Sequence, residues 1–285
     1  MKIIEYLPEF MQEDVEASLD NGLEEIRIRI GQQVELMPMK RRFGKVVTVE
    51  IMDEIMNYLT DYSRVSYEEQ LKRGYFTIEG GYRIGVAGAV NDEGGIDISA
   101  INIRIARQFI NCSRTLLPYI KTQNNIYNTL IASGPGVGKT TYLRDCVRNL
   151  SYEYKVGIVD ERSEIGALSF GVLHNDLGPG CDVMGNCKKS RGMTMLLRSM
   201  SPQIIAVDEI GDKEDYEAIE EIMHCGVKFI GTVHAGDLEE LKQKKYIWKM
   251  MENRIVERLV FLEEDNCGER SFKIFDCDGR NICSN

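Results

Sequence analysis

Apolar and polar positions follow two rhythms along this chain, and the change falls near residue 128. Before it, short alternating runs dominate. Leu23-Glu24-Glu25-Ile26-Arg27-Ile28-Arg29-Ile30 and Ile101-Asn102-Ile103-Arg104-Ile105 place apolar residues at every second position, the pattern of strands with one buried face. Tyr75–Ile78 and Tyr82–Val86 flank Gly80-Gly81, which predicts a hairpin. Helices are expected over 9–21, stopped by Gly22, and over 50–72, where Ile51, Ile55, Tyr58 and Leu59 recur at helical spacing. Residues 1–107 therefore read as a smaller α/β N-terminal domain. Residues 108–127 hold a proline, polar residues and little periodicity, and are expected to be a linker.

From 128 the apolar runs become continuous. Residues 128–132, 155–159, 204–207 and 227–233 have the length and composition of buried strands. Between them, 140–150 carries Leu143, Val147 and Leu150, and 215–225 carries Ile219, Ile222 and Met223, both at helical spacing. A last pair of runs, 254–264 and 271–277, brackets Asn266-Cys267-Gly268 as a hairpin. Strand–helix alternation predicts a mostly parallel sheet covered by helices, so 128–285 is expected to be an α/β domain.

The ends of these strands carry the chemistry. Ser133-Gly134-Pro135-Gly136-Val137-Gly138-Lys139-Thr140-Thr141 lies between a strand and a helix, the context a phosphate-binding loop needs. Glycines let successive N–H groups converge on one anion, and the helix N-terminus adds positive charge. Lys139 is suited to the β- and γ-phosphates and the Thr140 hydroxyl to Mg²⁺. Ser133 stands where the usual pattern has Gly. The run Ile204-Ile205-Ala206-Val207 ends in Asp208-Glu209, carboxylates expected at the same sheet edge. Asp208 is suited to the Mg²⁺ shell and Glu209 to orienting or deprotonating water, which favours hydrolysis over a non-hydrolysing scaffold. Asp160-Glu161-Arg162-Ser163-Glu164 and Thr232-Val233-His234 follow two more strands. Glu164 is a candidate catalytic acid, and His234 a candidate γ-phosphate sensor.

Composition narrows the classes. The net charge of −10 over 285 residues, spread over both halves, argues against a broad nucleic-acid surface. Lys40-Arg41-Arg42 with Lys45 is the best basic patch, and no aromatic–basic stacking platform accompanies it. A nucleic-acid-binding or translocating ATPase is nonetheless the rival reading, since motors of that kind share this core. No run has the length of a membrane span, and the first residues lack a secretory signal. The eight cysteines read as reduced thiols, and Cys181, Cys187 and His174 match no common zinc spacing.

The segments 133–141, 160–164, 204–209 and 231–237, in this order, resemble the secretion ATPase superfamily of type II and type IV secretion and pilus-retraction motors. Over nearly the whole chain, the runs 81–88, 101–107, 159–166 and 207–211 resemble a sporulation family of endospore-forming bacteria. The resemblance implies a RecA-like P-loop ATPase domain, ATP as the nucleotide, Mg²⁺, and a homo-oligomeric ring of six protomers. It further implies a cytoplasmic location at the inner face of a membrane, in the mother cell, energising membrane-embedded sporulation channel proteins toward the forespore. Nothing in the residues themselves selects adenine over guanine. By the same resemblance Arg83, Arg104 and Arg107, and Arg191 and Arg198, are candidate arginine fingers. Asp208 departs from the secretion motors, many of which have Gly there.

Overall fold

In the computed structural model the described residues are 3–92, 95–105, 108–123, 125–168, 171–265 and 270–284. The two rhythms of the sequence correspond to two units, residues 1–107 with 167–174, and residues 108–166 with 175–285.

The first unit runs α1 (Glu9–Leu19), β1 (Glu25–Arg29), β2 (Val34–Met37), β3 (Arg41–Phe43), α2 (Val49–Leu59), α3 (Glu68–Leu71), β4 (Tyr75–Thr77), β5 (Arg83–Val90) and β6 (Ile96–Arg104). Its antiparallel sheet has the order β3-β2-β1-β6-β5-β4. Ile26 and Ile28 of β1 and Ile101 and Ile103 of β6 enter one core with Met11, Val15, Ile55 and Leu59 of the helices. The expected helix over 50–72 is broken. It stops at Leu59 because the Thr60 hydroxyl turns back to the Met56 carbonyl at 2.8 Å and Asp61 and Tyr62 take positive φ of 46° and 55°, which a helix cannot continue through. β2 and β3 were not anticipated. The basic patch of the sequence lies around β3, where Arg41 pairs with Asp14 and Arg42 with Glu35.

The second unit runs α4 (Leu117–Ile120), β7 (Thr129–Ser133), α5 (Lys139–Leu150), β8 (Val156–Asp160), β9 (Cys181–Gly185), α6 (Lys189–Met200), β10 (Ile204–Val207), α7 (Lys213–His224), β11 (Lys228–His234), α8 (Leu238–Gln243), α9 (Lys245–Glu252), β12 (Arg258–Glu264), β13 (Arg270–Asp276) and β14 (Asn281–Ser284). Its sheet has the order β14-β13-β12-β7-β11-β10-β8-β9. The six strands from β12 to β9 are parallel, and β13 and β14 extend it antiparallel. Alternation sends Leu130, Ala132, Ile205 and Val207 to a core under α6, α7 and α9. Ile131, Ile204 and Ala206 go to the opposite core under α4 and α5. Both faces are covered, which is why these strands read as unbroken apolar runs.

Residues 108–127 belong to this second unit and do not behave as a linker. Leu116, Ile120 and Ile126 are buried in its core. The buried Asp145 carboxylate of α5 accepts the Asn111 and Ser113 N–H groups at 2.9 and 2.8 Å and the Ser113 hydroxyl at 2.7 Å.

Candidate functional site

Strand register assembles the site. Val207 of β10 lies level with Val159 of β8 and Gly231 of β11, so the next residues, Asp160, Asp208 and Thr232, stand abreast at the carboxyl edge of the sheet. Ser133 of β7 pairs with His234 of β11 at the same edge. β11, late in the chain, is inserted between β7 and β10, and its His234 thereby lies between the glycine-rich loop and the two acids.

In the loop, Gly136 and Gly138 have φ of 81° and 108°, the left-handed region that only glycine enters freely. A Cβ placed on Gly134 or Gly136 would meet no atom within 4 Å, so the loop surface there is open. Gly138 caps α5, whose first N–H groups lack intrahelical partners and can face an anion. Lys139 is only 5% exposed. Its Nζ donates to the Ser133 and Gly134 carbonyls at 3.2 and 3.0 Å and to His234 Nδ1 at 3.0 Å. Burial pulls its pKa below the usual lysine value, against the opposing field of Asp208 and Glu209.

An ammonium has only donors, so His234 Nδ1 must accept and Nε2 must carry the proton. That Nε2–H donates to Glu209 Oε1 at 2.9 Å. The other carboxylate oxygen, Oε2, pairs with Arg162 Nη1 at 2.5 Å. Burial works to raise the Glu209 pKa, but the His234 hydrogen bond, Arg162 and Lys139 outweigh it and hold the carboxyl below its ordinary value. The Glu209 backbone has φ of 52°, a strained setting for a non-glycine residue that costs about 1–3 kcal/mol. Thr232, fully buried, supports it: its Oγ1 accepts the Glu209 N–H at 2.8 Å and donates to Asp208 Oδ1. The second Asp208 oxygen accepts the Thr140 hydroxyl at 2.7 Å.

Of the remaining acids, Asp160 is buried and accepts the N–H groups of Glu164, Ile165 and Gly166 at 2.8, 3.1 and 2.8 Å, so it shapes its own loop. Burial raises its pKa in spite of those bonds. Glu161 pairs with Lys189 at 3.0 Å. The Glu164 carbonyl accepts from Arg144, and Glu164 lines a cavity of about 20 Å³ with Asp160, Glu161, Arg162, Lys189, Asp208 and Glu209. That volume suits a single water.

The structure thus brings Ser133 to Thr141, Asp208, Glu209, Glu164 and His234 to one edge. It does not bring Arg191 and Arg198 there: they stand on α6 and line an open groove with Glu214, Glu217 and Glu221 of α7. Arg83 and Arg104 belong to the first unit, paired across β5 and β6, with Arg83 over the Tyr75 ring at 4.2 Å and Arg104 beside Glu25 at 3.7 Å. Arg107 lies outside the described residues. Sequence reasoning missed Arg162, Thr232 and Lys189. Thr232 comes beside Asp208 only through the pairing of β10 with β11, Arg162 is one cation in an acidic turn, and Lys189 lies in a basic run far along the chain from the acids it faces, so none of the three carried a signal of its own.

The Thr140 hydroxyl and Asp208 carboxylate are hard oxygen donors that fit Mg²⁺, which takes few protein ligands and keeps water and phosphate oxygens. Among the described residues no three His, Cys, Asp or Glu side chains group as a metal cage. His174 accepts the Gly80 N–H at 3.1 Å within the first unit, whereas Cys181 and Cys187 belong to the second.

The family described as sporulation stage III, protein AA matches residues 10–282. Stage III sporulation protein AA of Bacillus subtilis is 39% identical over 298 residues, spanning 98% of this chain and 95% of that protein. The fold is similar to that of the Legionella pneumophila ATPase DotB, with a TM-score of 0.66, 16% identity and coverage of 95% of this chain and 82% of that one. It is also similar to the pilus retraction motor PilT solved with bound ADP, with a TM-score of 0.63, 13% identity and coverage of 97% and 83%. The expected α/β architecture, a RecA-like core with a mostly parallel sheet and a smaller N-terminal α/β domain, is therefore the observed one.

Proposed function

The chain belongs to the sporulation stage III, protein AA family, and on that premise we propose that it is a Mg²⁺-dependent P-loop ATPase that drives a sporulation-specific, secretion-like channel complex. The observation that carries this reading is the hydrogen-bonded line Lys139–His234–Glu209, with links of 3.0 and 2.9 Å, beside the Thr140–Asp208 pair at 2.7 Å. It joins an open glycine loop to a held carboxylate through the first side chain of α5 and the ends of the adjacent strands β11 and β10.

The parts act as follows. Backbone N–H groups of 136–141 hold the phosphates, and Lys139 leaves the loop carbonyls for the β- and γ-phosphate oxygens. Bound Mg²⁺ would neutralise charge on those oxygens, and the residues to hold it are Thr140 and Asp208. Glu209 orients and deprotonates the attacking water. His234 senses the γ-phosphate, because a Lys139 drawn to phosphate no longer donates to Nδ1, and the change passes to Glu209 through Nε2. Glu164, across the small cavity, is the second acid. The chain forms a homo-oligomeric ring of six protomers at the cytoplasmic face of a membrane. Its partners are membrane-embedded sporulation channel proteins, and arginines such as Arg83, Arg104, Arg107, Arg191 and Arg198 supply charge across protomers. No helix among the described residues is long and apolar enough to cross a membrane.

The test is equilibrium binding of an ATP analogue together with hydrolysis for the unmodified chain and Lys139→Ala. The substitution is expected to abolish Mg²⁺-dependent binding and turnover. Undiminished affinity and turnover in the variant would move the site elsewhere. Stimulation by single-stranded DNA but not by detergent-solubilised membrane partners would favour the nucleic-acid motor instead.

A further inference from the structure

We infer that Arg162 is a positioning residue for Glu209: it fixes the direction of the carboxylate from the side opposite His234 and acts in hydrolysis through that carboxylate, not on the phosphates. The inference rests on the ATPase reading above and adds a part to it.

The geometry is a two-sided clamp. Glu209 stands at the end of β10, the strand between β11 and β8. From the β11 side His234 Nε2 takes Oε1 at 2.9 Å. From the β8 side Arg162 takes Oε2 at 2.5 Å. The end of β11 and the loop after β8 thus contribute one donor each, one to each oxygen. A carboxylate bonded on one oxygen alone still swings about its terminal torsion, which is broad and two-fold; a second donor from the far side stops it.

The surroundings make the clamp consequential. Asp160, Glu161, Glu164, Asp208 and Glu209 line the same small cavity, and the cations facing them are Arg162 and Lys189. Lys189 is committed to Glu161 and Asp215, at 3.0 and 3.7 Å. Arg162 is the cation paired with Glu209 Oε2; without it that oxygen faces the neighbouring carboxylates while only the His234 side of the group is held. The loop bearing Arg162 is itself held, since Asp160 accepts three N–H groups from residues 164–166 and Ser163 sits at φ of 54°. Arg162 is more than half exposed, so the ion pair adds little to folding stability. Its effect belongs to the reaction.

The experiment is single-turnover hydrolysis of Mg-ATP beside equilibrium binding of a non-hydrolysable analogue, on the full chain, for Arg162→Ala, Arg162→Lys, Glu209→Gln and the double variant Arg162→Ala/Glu209→Gln. Losing a charge-assisted hydrogen bond to the base predicts a fall of roughly 10- to 100-fold in hydrolysis for Arg162→Ala. Nucleotide affinity should stay within about two-fold, and lysine should recover most of the rate. The double variant should be no slower than Glu209→Gln alone, because the arginine acts only through that carboxylate. An Arg162→Ala variant as fast as the unmodified chain overturns the inference. So does a double variant slower than Glu209→Gln with weakened affinity, which would mean direct contact with phosphate. If the unmodified chain binds the analogue but never hydrolyses ATP, the ATPase reading itself falls, and the inference with it.

Discussion

Thr232→Val tests whether one buried hydroxyl sets both acids. Valine matches threonine in shape, so the core around the fully buried residue 232 is kept while Oγ1 is removed. Two bonds go with it: the donation to Asp208 Oδ1 and the acceptance of the Glu209 N–H at 2.8 Å. A bond to a carboxylate is worth about 1.5–3 kcal/mol and a neutral one about 0.5–1.5 kcal/mol. Neither partner is wholly orphaned, because the Glu209 N–H retains Asp208 Oδ1 at 3.2 Å and Asp208 Oδ2 retains Thr140 at 2.7 Å. The net loss is therefore about 2 kcal/mol, near the low end of the sum, which in a unit of this size lowers Tm by roughly 4–8 °C. The Glu209 backbone, held at φ of 52° with one weak bond, relaxes toward ordinary conformations and swings the carboxylate away. A misplacement of about 1 Å costs on the order of 10²-fold in rate. Thermal unfolding and single-turnover hydrolysis measure the two effects separately. A variant with unchanged Tm and a rate within two-fold would show that the backbone geometry of residues 208–209 does not depend on this hydroxyl, and the account of how the acids are placed would be wrong.

Glu209→Gln is expected to bind ATP normally and hydrolyse it about 10²–10⁴-fold more slowly, with Asp208→Asn instead raising the Mg²⁺ concentration needed for half-maximal rate; a Glu209→Gln variant at full speed would shift the role of base to Glu164 or Glu161. Light scattering in the presence of an ATP analogue should detect oligomers, and specific activity should rise with protein concentration; a monomer with concentration-independent activity would remove the ring. Asp145→Asn should destabilise the chain at neutral pH by about 3–5 kcal/mol, the cost of breaking a buried ion pair, here with Arg148 at 3.0 Å. The Asp145 carboxyl is desolvated by burial, yet Ser113, Asn111 and Arg148 together hold its pKa below the ordinary value. A depressed folded pKa gives stability that is complete above the ordinary carboxylate range and lost as pH falls through the lowered one, so the gap between denaturant titrations of the two proteins should begin to narrow only below about pH 4 and close once the pH has fallen through the lowered Asp145 pKa; a gap that does not narrow with falling pH would contradict the pairing.

Which features were legible follows from how many constraints a residue satisfies at once. Strands β7, β8, β10 and β11 are buried on both faces, so each residue had to be apolar and the runs announced themselves. Asp208 and Glu209 stood out because nothing but an edge explains two acids after four apolar residues. The short β2 and β3 offered three or four residues each, and β3 begins with two exposed arginines, so no alternation could accumulate. The half-buried β9 and α6, which starts without a side-chain cap, lacked both signals. The 108–127 segment looked like a linker since its order comes from Asp145, a residue more than thirty positions away that the local pattern cannot report.

The harder loss is relational. Sequence gives strand ends but not which ends are neighbours, and the site is assembled only because β11 lies between β7 and β10. Only that order puts His234 within reach of both Lys139 and Glu209 and so fixes its tautomer. Only β8 on the far side of β10 puts Arg162 against the second carboxylate oxygen. Read along the chain, Arg162 is one cation in a solvated acidic turn and Thr232 one β-branched residue in a strand. Read across the sheet, they hold the acid from outside and from beneath. The residues that carry charge to a ligand were therefore visible as a motif, while those that aim them were not, because aiming is a property of adjacency between strands and adjacency is set by packing.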